Sequence, residues 1–210
     1  MKLLDRETGS LFTGQCGKAS CPICIIPRAL NIAHALALAA PEYFLRLSLV
    51  GRDHQDIRTR MKGFTRRLRT SGRQFAYAAS VEPNPNGTGN HSHLWIHGTP
   101  LDPSDVQDAA VMAGMGTDIW LEAARVPNGP DPKLTYGLKM VLDEERHSTE
   151  EMPPAAKVYL ELNGGRLVAS SRDFWRDGRN REPLGGRREA ERLARRRAGL
   201  HKRYLVAGAV

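Results

Sequence analysis

The sequence predicts an α+β fold, in which helices pack on one antiparallel sheet. Apolar and polar residues alternate in four short runs, as expected of strands with one buried face. Between these runs, apolar residues recur every three or four positions, which is the period of an amphipathic helix. Apolar residues make up 40% of the 210 residues and charged residues 26%, so the chain can bury one sizeable core.

The first elements follow from local signals. A short helix is predicted over residues 29–40 and ends before Pro41, which cannot donate the next helical hydrogen bond. Residues 44–50 alternate and form the first predicted strand. Asp53 can then cap a second helix, which ends at Gly72. The apolar face of this helix consists of Ile57, Met61, Phe64 and Leu68.

The later elements complete the topology. Two strands around a turn-rich loop, a helix, a fourth strand and a last helix are predicted over residues 74–82, 91–97, 102–115, 118–126 and 133–145. The resulting β-α-β-β-α-β order is the split β-α-β, or ferredoxin-like, arrangement, a four-stranded antiparallel sheet with helices on one face. The opposite face would then be open for a functional site.

The net charge of +8 is concentrated in the last part of the chain. From Arg166 to Arg203 there are thirteen Arg or Lys against five Asp or Glu, an excess equal to the net charge of the whole chain. We therefore predict a basic DNA-binding tail over residues 166–210, after a cysteine-rich segment (1–40) and a central domain (41–165). A basic excess favours polyanionic partners because phosphate contacts release counterions.

The predicted DNA contacts in this tail are of two kinds. Phe174, Trp175 and Tyr204 could stack on bases. The phosphate contacts are assigned to Arg187, Arg188, Arg192, Arg195, Arg196 and Arg197. The alternative is a solvated helix that only aids solubility.

The three cysteines, Cys16, Cys21 and Cys24, lie within nine residues. An odd number of closely spaced cysteines argues against a disulfide framework and for Zn²⁺. His34 is the nearest candidate for a fourth ligand and His54 the next, while the alternative is three buried thiols. No apolar run is long enough to span a membrane and no signal-peptide pattern is present, so a cytoplasmic location is expected.

His91 and His93 would lie on one face of the third strand, close enough to bind one metal ion. Glu82 ends the preceding strand and could supply a third ligand from across the strand pair. One carboxylate and two imidazoles suit Mg²⁺ or Mn²⁺. His97 lies ~20 Å farther along the strand than His91 and is interpreted as structural or as a substrate contact. The alternative is a pair of ordinary histidines.

Tyr136 and Lys139 fall on the same face of the last predicted helix. A tyrosine with a pKa near ~10 needs help to act as a nucleophile. A metal ion and a nearby lysine can give that help by stabilising negative charge. The alternative is that Tyr136 packs in the core and Lys139 is solvated.

Taken together, the order of these motifs resembles the HUH endonuclease superfamily, in particular the rolling-circle replication initiators of bacterial plasmids and phages. The short apolar strand of that family matches residues 47–50, its His-hydrophobic-His motif matches His91 and His93, and its Tyr-x-x-Lys motif matches Tyr136 and Lys139. The resemblance covers residues 43–145. It departs at Ser92, where a hydrophobic residue is usual, and at Met140, where many relatives have a second tyrosine.

The resemblance implies an enzyme that nicks and rejoins single-stranded or hairpin origin DNA. A metal ion on His91, His93 and Glu82 would position the phosphate, and attack by Tyr136 would leave a 5′-phosphotyrosine and a free 3′-hydroxyl for a host polymerase. The sequence contains no phosphate-binding loop of the NTPase type, so a host helicase would be needed. The alternative is a non-catalytic nucleic-acid-binding protein with a ferredoxin-like sheet and a zinc knuckle.

Overall fold

The structure, a computed structural model, describes residues 2–5, 11–13, 21–49, 53–84, 89–123, 137–142, 152, 154–177, 180–197 and 204–206. Its helices are α1 Pro22–Ala39, α2 His54–Thr70, α3 Pro103–Met112, α4 Lys139–Leu142, α5 Pro154–Leu162 and α6 Arg187–Arg197. Its strands are β1 Lys2–Asp5, β2 Leu11–Thr13, β3 Tyr43–Leu49, β4 Phe75–Pro83, β5 Asn90–Gly98, β6 Ile119–Ala123, β7 Ala169–Ser170 and β8 Tyr204–Val206.

The main sheet has five antiparallel strands in the order β6-β3-β5-β4-β7. Its first four strands are connected as β3-α2-β4-β5-α3-β6, so the predicted ferredoxin-like α+β fold is confirmed. The short strand β7 adds a fifth strand beside β4. A separate three-stranded antiparallel sheet has the order β2-β1-β8.

Helices α2 and α3 cover one face of the main sheet, as predicted. The Asp53 side chain caps α2 by accepting a hydrogen bond from the backbone N–H of Asp56 at 2.9 Å, and Asp102 caps α3 in the same way. The buried residues of α2 include the four predicted ones, Ile57, Met61, Phe64 and Leu68. They pack with strand residues such as Leu45 and Leu94 in one core cluster.

Part of the other face is also covered, which corrects the expectation of a fully open face. Helix α1 begins at Pro22, before the predicted start at residue 29, because proline is tolerated in the first turn of a helix. Together with residues of α4, α5 and α6 it forms a second core around the buried Trp95 ring. The physical reason is that the strand residues of this face include Ala76 and Ala78, which are apolar and need covering as well.

Described residues of the basic tail contribute to this second core. Leu167, Val168 and Ala190 are buried in the same cluster as α1. Phe174 and Trp175 are only 0% and 3% exposed, so the prediction that they stack on DNA bases is wrong. Tyr204 belongs to β8, and its side chain lies outside the described part of the structure. Among the helices that the structure describes, none has the length and apolar character needed to cross a bilayer.

Candidate metal centre

The register of β4 and β5 brings the predicted metal ligands together. Glu82 pairs directly with His91, and His93 lies two residues farther on, on the same face. The Nε2 atoms of both imidazoles are 3.2 Å from Oε2 of Glu82. One ligand atom from each residue lies within 4.8 Å of the others, which is close enough for the three side chains to close around a single ion.

The charge at this centre is buried. The side chains of Glu82 and His93 are fully buried, and that of His91 is 13% exposed. Burial by itself raises the pKa of Glu82, but hydrogen bonds from His91 and His93 and the charge of Lys139 outweigh it and lower the pKa to about 2. Burial lowers the pKa of His93, against the opposing effect of its hydrogen bond to Glu82.

Two neighbouring side chains contact the ligands, whereas Ser92, between the two histidines, faces away from them. Asn84 Oδ1 lies 2.7 Å from Nδ1 of His91, which directs the opposite ring nitrogen at Glu82. The Phe44 ring stacks on His93 with a centroid distance of 5.5 Å and an interplanar angle of 19°. Ser92 is buried on the opposite face, where its hydroxyl donates to the Ser80 carbonyl at 3.0 Å. A serine between the two histidines therefore leaves the ligand face intact.

Helix α4 places Lys139 at the same centre. The Lys139 Nζ atom is 3.4 Å from Oε2 of Glu82, and the lysine side chain is 37% exposed. The interpretation of Lys139 as a merely solvated residue is therefore excluded. Tyr136 itself lies outside the described residues, and its neighbour Gly137 is the closest described residue in the chain.

The backbone at Gly137 is held against the sheet. Its carbonyl accepts hydrogen bonds from the hydroxyls of Ser80 at 2.7 Å and Tyr159 at 3.3 Å. A Cβ atom at this position would lie 2.7 Å from the Trp95 ring, so only glycine fits. The segment that follows Tyr136 is thus fixed on the face that carries the histidines.

Sequence reasoning missed the supporting residues of the centre. Asn84 follows Glu82 by two residues at the start of the turn-rich loop, and this position could have marked it as a partner of His91. No local signal points to Tyr159, because its contact with Gly137 joins segments that are 22 residues apart. Ser80 and Phe44 are ordinary strand residues in the sequence.

His97 does not belong to the metal centre. It is 4% exposed and packs on Phe174 with a centroid distance of 4.9 Å. Burial lowers its pKa to about 4, with further lowering by Arg176 and Arg181 and an opposing effect of Glu42. The sequence suggests that His97 is a structural residue or a substrate contact, and its burial supports the structural role.

The cysteine cluster is described only in part. Cys16 lies outside the described residues, Cys21 is the residue before α1, and Cys24 is 1% exposed within the helix. His34 follows Cys24 by ten residues in the same helix, a distance of ~15 Å along the axis. His34 therefore does not share an ion with Cys24, which corrects the nearest-ligand prediction.

The second candidate ligand, His54, contacts the backbone at the end of α5. Its Nδ1 atom lies 3.0 Å from the Leu162 carbonyl oxygen. Within the described ranges, the group of His, Cys, Asp or Glu side chains that could hold an ion is Glu82, His91 and His93. Zinc at the cysteines stays a prediction.

The six arginines predicted to bind DNA all lie on α6, and they divide into two sets. Three are engaged within the molecule: Arg187 pairs with Glu191, Arg192 with Glu189, and Arg197 with the buried Asp177. The other three, Arg188, Arg195 and Arg196, are exposed to solvent. The second set is therefore the better placed to meet a phosphate backbone.

Comparison of the chain with family models, with curated proteins and with solved structures finds no match. The centre itself offers one carboxylate, two imidazoles and one ammonium group. Such a set can hold a divalent cation and leave coordination positions for substrate oxygen atoms.

Proposed function

We propose that this chain is a metal-dependent endonuclease of the HUH type, which nicks and rejoins single-stranded DNA to start rolling-circle replication of a plasmid or phage. The observation that carries the proposal is the contact between Lys139 and Glu82, 3.4 Å apart. This contact brings the lysine of the Tyr-x-x-Lys segment to the carboxylate that also contacts His91 and His93, so these groups could act on one phosphate.

The ligand set fits a divalent metal ion. Oε1 of Glu82 is buried and has no hydrogen-bond partner among the described residues, so a buried anionic oxygen is left for a cation. We assign Mg²⁺ or Mn²⁺ because a carboxylate with two imidazoles suits such ions better than thiolate-preferring ones. The ion, when bound, would polarise the phosphate that is attacked.

The protein's own groups supply the rest of the reaction. The phenol oxygen of Tyr136 forms a bond to phosphorus, and the bond from phosphorus to the 3′-oxygen breaks. The phenol proton is lost and the 3′-oxygen gains one, so the products are a 5′-phosphotyrosine ester and a free 3′-hydroxyl. Lys139 offsets the negative charge that develops on the phosphate. The reverse reaction rejoins the strand and frees the tyrosine.

A covalent adduct tests the proposal directly. End-labelled single-stranded DNA hairpins of many sequences are incubated with the protein and Mn²⁺, and the products are separated under denaturing conditions. We expect a protein–DNA adduct that is lost in Tyr136→Phe. The matched control is Tyr77→Phe, a tyrosine on the opposite face of β4 near α2, which should form the adduct normally.

Two results would contradict the proposal. An adduct that persists in Tyr136→Phe would exclude this tyrosine as the nucleophile. Binding of many DNA sequences with no adduct at any metal concentration would favour the non-catalytic nucleic-acid-binding protein instead.

A further inference from the structure

One tryptophan of this chain is exposed on the face that carries the metal centre. The chain has three tryptophans; Trp95 and Trp175 are 0% and 3% exposed, whereas Trp120 is 56% exposed. Trp120 lies on β6, at one edge of the main sheet. An exposed indole is a common anchor for a binding partner, because it has a large apolar area and few rotatable bonds.

The sheet register aligns Trp120 with the metal centre. His93 pairs with Arg46 on β3, and Arg46 pairs with Trp120 on β6, so the three side chains form a row across one face. Adjacent strands are ~4.8 Å apart, so Trp120 is ~10 Å from His93 across the sheet. A strand of DNA with a phosphate at the metal centre can therefore reach the indole with a neighbouring nucleotide.

A cation accompanies the exposed ring. The guanidinium carbon of Arg46 is 5.6 Å from the centroid of the Trp120 ring. Arg46 also pairs with Asp118 at 3.2 Å, and the side chains of Arg46 and Asp118 are 32% and 70% exposed. An aromatic ring with an adjacent arginine can bind single-stranded nucleic acids, since the ring stacks on a base and the cation contacts the backbone phosphate.

We propose that Trp120 and Arg46 form a base-stacking subsite for one nucleotide of single-stranded DNA beside the phosphate at the metal centre. Trp120 stacks on the base, and Arg46 exchanges part of its contact with Asp118 for a contact with the DNA phosphate. The position of this nucleotide relative to the cleaved bond rests on the proposed function, whereas the stacking itself does not.

The fluorescence of the protein reports on the subsite, because the other two tryptophans are buried. Single-stranded oligodeoxythymidine is titrated into the Tyr136→Phe protein, which cannot react, and emission and anisotropy are followed. We expect saturable quenching. Trp120→Ala should lose the quenching and bind roughly tenfold more weakly, as expected for the loss of one stacked base.

A matched control removes another exposed apolar side chain. Met112 is 63% exposed at the end of α3, and Met112→Ala should bind DNA like the parent protein. Equal affinity of the Trp120→Ala and parent proteins would overturn the subsite. The subsite would also be overturned if the parent protein were a dimer, Trp120→Ala were a monomer, and both bound DNA equally well. That result would assign the surface to a second copy of the chain.

An abasic nucleotide moved stepwise along the DNA locates the stacked base. At one position it should weaken binding by the parent protein roughly tenfold and have no effect on Trp120→Ala. Parallel losses at every position in both proteins would overturn the proposal. Adduct formation by proteins that retain Tyr136 is measured separately, so a failure of the nicking reaction remains distinguishable from a failure of the stacking.

Asp118→Asn tests the part played by Arg46. The substitution removes the carboxylate that competes with the DNA phosphate. We expect tighter binding and a steeper dependence of affinity on salt. Unchanged or weaker binding would overturn the assignment of Arg46 as a phosphate contact.

Discussion

Glu82 is the residue on which the metal centre depends. Its Oε2 atom is 3.2 Å from each imidazole and 3.4 Å from the Lys139 ammonium. Since the carboxylate is fully buried, these contacts compensate the loss of its hydration. The same residue therefore holds the ligands in place and sets the charge of the site.

Replacing Glu82 by glutamine removes the negative charge of the side chain and keeps its size. We expect Glu82→Gln to keep the fold but to bind Mn²⁺ at least ~10-fold more weakly, since a neutral amide is a poor ligand for a hard cation. Calorimetric titration with Mn²⁺ measures the affinity. Glu161→Gln, an exposed position on α5, is the control, and equal affinities in the two variants would exclude Glu82 as a ligand.

The burial of His97 predicts a stability of the fold that depends on pH. Its folded-state pKa of about 4 lies below the unfolded value of 6.5, so the unfolded chain binds more protons between these values. The free energy of unfolding should fall by up to about 3 kcal/mol as the pH drops from 7 to 4. His97→Phe should remove this part of the dependence in urea unfolding curves. Parallel pH profiles for the two proteins would contradict the burial of a neutral imidazole.

At the scale of elements, α4 is too short to be stable on its own. It has four residues, and an isolated helix of that length does not persist in water. Its position comes from the Gly137 carbonyl, which Ser80 and Tyr159 bind, and from the burial of Leu138 and Val141. The Tyr-x-x-Lys segment is therefore placed by tertiary contacts of the sheet and α5.

Gly137→Ala should displace this segment. The added Cβ meets the Trp95 ring at 2.7 Å, so residues 137–139 must move away from the sheet. We expect the rate of adduct formation to fall roughly ten- to hundredfold while Mn²⁺ affinity is retained. Gly185→Ala is the control, because a Cβ there meets no atom within 4 Å. A normal rate in Gly137→Ala would show that the position of this segment does not limit the reaction.

At the scale of the whole molecule, the basic region combines a buried packing surface with an exposed, positively charged one. Helix α6 packs on α1 through the buried residues Ala190 and Ala194, so its removal would open a core. Its outer surface carries the exposed Arg188, Arg195 and Arg196. A truncation after Arg181 would therefore confuse the loss of charge with the loss of stability.

Neutralising the three exposed arginines tests DNA docking without truncation. The combined substitution of Arg188, Arg195 and Arg196 by glutamine should reduce the slope of log affinity against log salt by about 2, since each phosphate contact on a single strand contributes ~0.7. The control variant replaces Arg58, Lys62 and Arg66 on the exposed side of α2. An equal change of slope in both variants would show that only the net charge matters.

The sequence by itself determined the order of the elements from β3 to β6, the buried face of α2 and the meeting of Glu82 with His91 and His93. These features depend on residues close together in the chain, because strand alternation sets the face and a hairpin sets the register. Tertiary structure decided that α1 and α6 cover part of the second face, that Phe174 and Trp175 are buried and that Lys139 reaches Glu82. These features depend on contacts between distant segments, which no local pattern of residues records.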